Sequence, residues 1–320
     1  MDGSPADEVT GRTRITAWPR TGLYLVRDCG PGKRTANYYW QLITKYNGPP
    51  DFGPTRYQHI FMATDFQYIK FKIDDRVARI TLAHPPLNIF NIAMMREIAR
   101  ALNDCSMDRS LVAIVFDADK DCRAFSAGVS VEEHAEETVY QMLDSFHGIF
   151  RMLEQQARPT VAIVEGSALG GGCELVAACD MVIASDRARF GQPEIKLGVF
   201  PPVAAVLLPR IIGDKRAREL ILTGELIDAS EAGRIGLVNH VVPSHQLEAK
   251  AEEILSRLRE LSARALELTR RGIDIGRGVS IDEALNVVED LYLNELMKTN
   301  DANEGVKAFM EKRKPVWTDR

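Results

Sequence analysis

Two glutamates are the residues best placed to do chemistry. Glu174 follows three consecutive glycines, Gly170-Gly171-Gly172, with only Cys173 between. Glu194 follows Pro193 in a stretch that is otherwise apolar or small, twenty residues further on. Two carboxylates whose environments split their pKa values can act as an acid and a base on one substrate. A single glutamate is most often a solvated surface charge. The glycine run argues otherwise, because a strand leading through glycine into a helix offers unpaired N–H donors and a positive dipole end. Such a helix start suits a phosphate or a developing oxyanion. A further segment, Arg123-Ala124-Phe125-Ser126-Ala127-Gly128-Val129, consists mostly of small residues after a buried strand. Backbone there can approach a ligand closely, although a plain structural turn would look similar.

Rival chemistries fail on spacing. A dinucleotide-binding turn starting at Gly170-x-Gly172 needs glycine or alanine at position 175, which is Leu175. Asp186 stands where that fold would place its ribose-binding acid, and it is a decoy. No Gly-Lys-Ser/Thr follows the glycines, so a P-loop is excluded. Ser126 and Ser167 lack the G-x-S-x-G elbow of a triad hydrolase. The six histidines show no metal-binding spacing, and the five cysteines contain no C-x-x-C pair. An odd set of cysteines also points to reduced thiols and a cytoplasmic protein.

The elements that must position these residues follow from periodicity. Tyr68 to Ile73 and Val77 to Leu82 are predicted strands joined by a tight turn at Asp74-Asp75. Asn91 to Asn103 has helical spacing behind an asparagine cap. Leu111 to Phe116 and Thr160 to Val164 are apolar runs of the kind buried in parallel sheets. Val131 to Gln156 is expected to be mostly helix, the glycine turn leads into a helix ending near Ala178, and Met181 to Ala184 is a further strand. Beyond about Ala204 the pattern turns almost wholly helical. Strands alternating with helices predict an α/β core with mainly parallel pairing.

The chain has 320 residues, 45% hydrophobic and 27% charged, with a net charge of −5. That balance fits a globular protein and argues against a general nucleic-acid binder. No apolar run approaches the roughly 18 residues needed to span a bilayer. Residues 1–61 differ from the rest: they are rich in Gly, Pro, Arg and aromatics (Trp18, Tyr24, Tyr38, Tyr39, Trp40, Tyr57) and lack sustained periodicity. They are expected to be an irregular extension, either a small aromatic module or upstream sequence with Met62 as the natural beginning. Residues 62–258 then form the core, and 259–320 a helical region.

Taken together, Ala124 to Gly128, Ala168 to Glu174, Phe190 to Glu194, Leu222 to Glu225 and Ala232 to Val238 resemble the enoyl-CoA hydratase (crotonase) family in order and spacing. So does the tail Glu304-Gly305-Val306-Lys307-Ala308-Phe309. The resemblance runs from about Met62 to the end. It implies a spiral of ββα units with a helical C-terminal trimerisation region, giving trimers or dimers of trimers. It implies an acyl-CoA substrate, with CoA part of that substrate and no separate cofactor or metal. It also implies an oxyanion hole from the N–H groups of Ala127 and Gly171, with Glu174 and Glu194 managing a water and an α-proton. Related isomerases and hydrolases usually keep one acid of this pair, so both together favour a hydratase. CoA contacts are implied at Pro86, Leu87, Arg123, Phe309 and Lys312.

Within the family, His84 to Asn91 and Gly198 to Ala205 are most similar to the branch that hydrates cyclohexa-1,5-diene-1-carbonyl-CoA in anaerobic benzoyl-CoA degradation. Ser130 stands where an aspartate is usual, and Pro202 to Ala205 replaces a glycine-rich stretch. A linear-chain enoyl-CoA hydratase or isomerase, or a non-catalytic acyl-CoA-binding scaffold, remain the alternatives.

Overall fold

The computed structural model describes residues 66–319 throughout, together with the backbone of three earlier strands. It divides into two units, 1–63 and 64–320. In the first, β1 (Ala6–Thr10), β2 (Thr13–Ala17) and β3 (Tyr24–Asp28) pair in sequence order as an antiparallel sheet. That is more regular than the aperiodic sequence predicts, because strands of five residues are too short for a sustained alternation to register. Trp18, Tyr38, Tyr39, Trp40, Tyr57 and Met62 lie outside the described residues.

The second unit opens with the hairpin β4 (Ile69–Asp74) and β5 (Val77–Leu82). Its two-residue turn is Asp75-Arg76, one position later than predicted, with φ of 42° and 64°. Two successive left-handed residues make the turn whose twist matches that of the strands. Helix α1 (Ile92–Met107) follows, and the Asn91 side chain accepts from Met94 N–H at 2.8 Å as the predicted cap.

Three repeats of one plan come next. Strand β6 (Ala113–Ala118) leads to β7 (Ala124–Ser126) and helix α2 (Val139–Gln155). Strand β8 (Thr160–Val164) leads to β9 (Ser167–Leu169) and α3 (Gly171–Ala178). Strand β10 (Met181–Ser185) leads to β11 (Arg189–Gly191) and α4 (Pro202–Ile212). The first strand of each repeat joins a six-stranded sheet and the second a four-stranded one, so the chain winds as a spiral. The order is β13-β10-β8-β6-β5-β4 in the first sheet and β12-β11-β9-β7 in the second. Strands β12 (Leu226–Asp228) and β13 (His240–Val242) interrupt the region predicted to be almost wholly helical. The long helix expected from Val131 also starts later, after a short 3-10 turn at Glu132–His134.

Remaining helices are α5 (Asp214–Thr223), α6 (Ala229–Arg234), α7 (Leu247–Arg259), α8 (Ala263–Ile275), α9 (Ile281–Asn294) and α10 (Asn300–Met310). Alternate residues of β6 and β8 enter separate clusters: Ile114, Phe116, Ala162 and Val164 join one, Val115, Val161 and Ile163 the other. Period-two alternation sends side chains to both sheet faces, and both are covered. This is why the strands read as unbroken apolar runs. Among the described residues no helix is long and apolar enough to cross a membrane, and no group of His, Cys, Asp and Glu is arranged to hold a metal.

Candidate active site

The head of α3 lies against the end of β7. A Cβ placed on Gly171 would come within 2.8 Å of Val129 Cγ2, and one on Gly128 within 3.5 Å of the Gly171 nitrogen. Glycine is needed at Gly170 for its left-side backbone, φ 52°, as well as for space. At the first turn of α3 the Gly171 N–H has no partner among the described residues. Helix starts leave such donors free.

The second donor differs from the one expected. The Ala127 N–H is already spent on the Leu87 carbonyl at 2.9 Å. Val129 forms a bridge with Phe90 in which the Phe90 N–H and carbonyl are taken by Gly128 and Ser130. Its own N–H is therefore left without a partner among the described residues, beside Gly171. Free donors Val129 and Gly171, rather than Ala127 and Gly171, are the pair the backbone presents.

Both glutamates reach this corner. Glu174 is 2% exposed, and its Oε1 accepts from the Ala204 N–H at 2.7 Å. Burial pushes its carboxyl up to about 8, and the charge of Glu194 adds to the shift. Glu194 stands across Gly170, with its Oε1 only 2.7 Å from where a Cβ would sit. Burial raises its pKa as well. Glu174, desolvated and facing the charge of Glu194, holds a proton at neutral pH, which supplies the acid of an acid–base pair.

Sequence patterns did not single out the groups that hold these residues in place. Gln192 is fully buried, and with its amide nitrogen turned to Glu194 it donates to Oε1 at 3.2 Å and Oε2 at 3.3 Å. Asn88, also buried, receives the His84 N–H at 2.7 Å and donates to the Ala124 carbonyl at 3.1 Å. Ser126 Oγ donates to the Asn88 carbonyl and accepts from the Gly128 N–H. These bonds tie the loop 84–88 to the β7 end. An amide one residue before Pro193 was the only sequence signal for Gln192, and nothing marked Asn88.

Of the expected carrier contacts, Pro86 and Arg123 are joined, since the Arg123 N–H donates to the Pro86 carbonyl at 2.8 Å, and Leu87 is the next residue. Arg123 lines a cleft of about 470 Å³ together with Lys120 and Arg187. None of the three has a carboxylate partner among the described ion pairs. Asp117 and Asp119, on the same wall, are paired with Arg79 and Lys70. Phe309 and Lys312 lie at the end of α10, Phe309 strongly exposed, and no hydrogen bond or ion pair among the described residues links either to the Pro86–Arg123 segment.

Residues 72–320 match the enoyl-CoA hydratase/isomerase family. The chain is 39% identical over 249 residues to the cyclohexa-1,5-dienecarbonyl-CoA hydratase of Thauera aromatica, covering 77% of this chain and 95% of that one. It is 35% identical over 246 residues to the short-chain-enoyl-CoA hydratase of Clostridium acetobutylicum, covering 75% and 94%. The crystal structure of enoyl-CoA hydratase from Bacillus anthracis superposes with a TM-score of 0.75 at 33% identity, over 79% of this chain and 100% of that one. The chain therefore belongs to the enoyl-CoA hydratase/isomerase family and has the crotonase fold. It is an enzyme of the hydro-lyase class.

Proposed function

We propose that the protein adds water to an α,β-unsaturated acyl-CoA thioester, and that its acyl group is the cyclohexa-1,5-diene-1-carbonyl ring. One observation carries the hydratase reading: two desolvated carboxyls, Glu174 and Glu194, flank the glycine turn that presents the Gly171 N–H beside that of Val129, neither N–H having a partner among the described residues. The thioester oxygen sits against those two N–H groups, which stabilise the enolate as water adds to the conjugated system. Losing one such donor typically costs on the order of 3 kcal/mol of barrier. The ionised carboxylate takes a proton from water, whose hydroxyl bonds to carbon. The protonated carboxyl delivers its proton to the α-carbon, so the pair ends with the proton exchanged and one water added. A non-catalytic scaffold would have no use for two desolvated acids.

Lys120, Arg123 and Arg187, which have no carboxylate partner among the described ion pairs, support a place for the nucleotide phosphates. The ring substrate is supported by the likeness of His84 to Asn91 and Gly198 to Ala205 to the cyclic-diene branch. Its test is turnover of the purified protein on crotonyl-CoA and on cyclohexa-1,5-diene-1-carbonyl-CoA side by side. A kcat/KM at least about tenfold higher on the cyclic diene is expected, since reshaping a pocket by a few apolar groups is worth that much. Preference for crotonyl-CoA would move the assignment to linear chains.

Assembly as a trimer, or as two stacked trimers, belongs to the same reading. Helix α9 leaves Ile281, Leu285 and Tyr292 exposed along one face, an apolar stripe that a free helix does not keep in water. Light scattering at micromolar concentration is expected to give a mass of three or six chains. A sharp monomer would remove this part.

A further inference from the structure

Helix α4 begins with Pro201 as its cap and Pro202 as its first residue. Proline has no N–H, so the first donors this helix presents are those of Val203 and Ala204. Neither has an acceptor within the helix at those positions. The Ala204 N–H instead crosses to Glu174 Oε1 at 2.7 Å, a contact between residues far apart in sequence and wholly buried. The Val203 N–H also acts on that carboxyl. Helix α4 is anchored below this turn by Leu208, buried in the main core. Its first turn is joined to Glu194 by the segment through Gly198, where Val199 N–H donates to the Glu194 carbonyl at 3.3 Å.

We infer that the first turn of α4, through the Ala204 N–H, is the positioning element for the Glu174 carboxyl, so that segment 194–204 carries one acid of the pair and orients the other. This rests on the hydratase reading above. Ala204 acts through its backbone N–H, whose role is to hold the Glu174 oxygen in place. The geometry assigns a function to the two prolines: they withhold earlier donors, so the carboxyl meets only the Val203 and Ala204 N–H groups of this turn. Removing the Ala204 donor both loosens the carboxyl and takes away a bond that favours its ionised form. The sign follows. A lost bond to the charged form raises the pH at which Glu174 gives up its proton. Glu194 is the charged group acting on Glu174, and it is unchanged by the loss.

The test replaces Ala204 by lactic acid through backbone ester substitution in the full chain. This keeps the methyl group and deletes only the N–H. The expected result is a kcat lower by about 10- to 100-fold, the loss typical of a hydrogen bond to a charged group. The limb of the pH–rate profile governed by Glu174 should move upward by about one unit. KM should stay within about threefold, because the Val129 and Gly171 donors remain. The matched control is the same ester at Ala205, whose N–H donates within the helix to the Pro201 carbonyl at 3.0 Å and not to Glu174. It should leave the limb where it was. If both esters behave alike, or the limb stays in place with the ester at 204, the positioning role is overturned. The underlying hydratase reading fails separately, if Glu174→Gln keeps normal turnover.

Discussion

Glu174→Gln and Glu194→Gln are each expected to lower kcat by about 10²–10⁴-fold, the usual contribution of a positioned general acid or base. Affinity for acyl-CoA should change far less, because the two backbone donors and the cations of the cleft are untouched. The double mutant should lose less than the product of the single losses, since groups serving one transition state act as a unit. Melting temperature separates this from a structural role. Glutamine at 174 still offers an oxygen to the Ala204 N–H and no longer places a desolvated carboxyl in the core. The Glu174→Gln protein should therefore be at least as stable as the parent. Near-normal turnover in either single mutant would sink the two-glutamate mechanism.

Gly172→Ala is expected to be nearly as damaging without touching a catalytic side chain. Its Cβ would come within 2.6 Å of the Ser126 carbonyl oxygen and 2.7 Å of Ser126 Cβ. Backbone in a buried strand cannot step aside as a flexible side-chain tip would. Overpacking of this kind typically costs about 1–3 kcal/mol. The strain falls on the seam between α3 and the β7 end, where Gly171 and Val129 present their donors. Turnover should drop by about 10²–10³-fold, as when an oxyanion donor is lost. Gly148→Ala, in α2, makes a suitable comparison, because nothing lies within 4 Å of its added methyl. That variant should keep its activity. Equal activity for the two would show that the seam tolerates displacement and that donor placement is not tight.

The parts of this molecule that were legible in the sequence are those whose signal is local. Asn91 caps α1 because side chain and N–H lie three residues apart, and the strands β6 and β8 announce themselves by apolar runs. Glu174 and Glu194 stood out by the glycines and the proline beside them. What stayed hidden depends on pairing between distant segments. Strands β7, β9 and β11 have three residues each, too few for periodicity to register. Whether Ala127 or Val129 keeps a free N–H is settled by where the Leu87 carbonyl falls, forty residues earlier in the chain. The grip of α4 on Glu174 has the same character, because a backbone N–H carries no residue type and so leaves no trace in the alphabet.

The spiral also sets how the site comes into being during folding. Val129 follows the second strand of the first ββα repeat, Gly171 and Glu174 belong to the second, and Glu194 and Ala204 to the third. Each repeat pairs in parallel with its neighbour, β6 with β8 and β8 with β10. Parallel pairing between segments so far apart in sequence closes long loops before any contact rewards it, and such steps are slow. A chain emerging from the ribosome can complete the donor pair once two repeats have stacked, while the second acid and the turn that orients the first arrive only with the third. The acid–base machinery is therefore completed after the donor pair, when the third repeat brings Glu194 and Ala204 to Glu174.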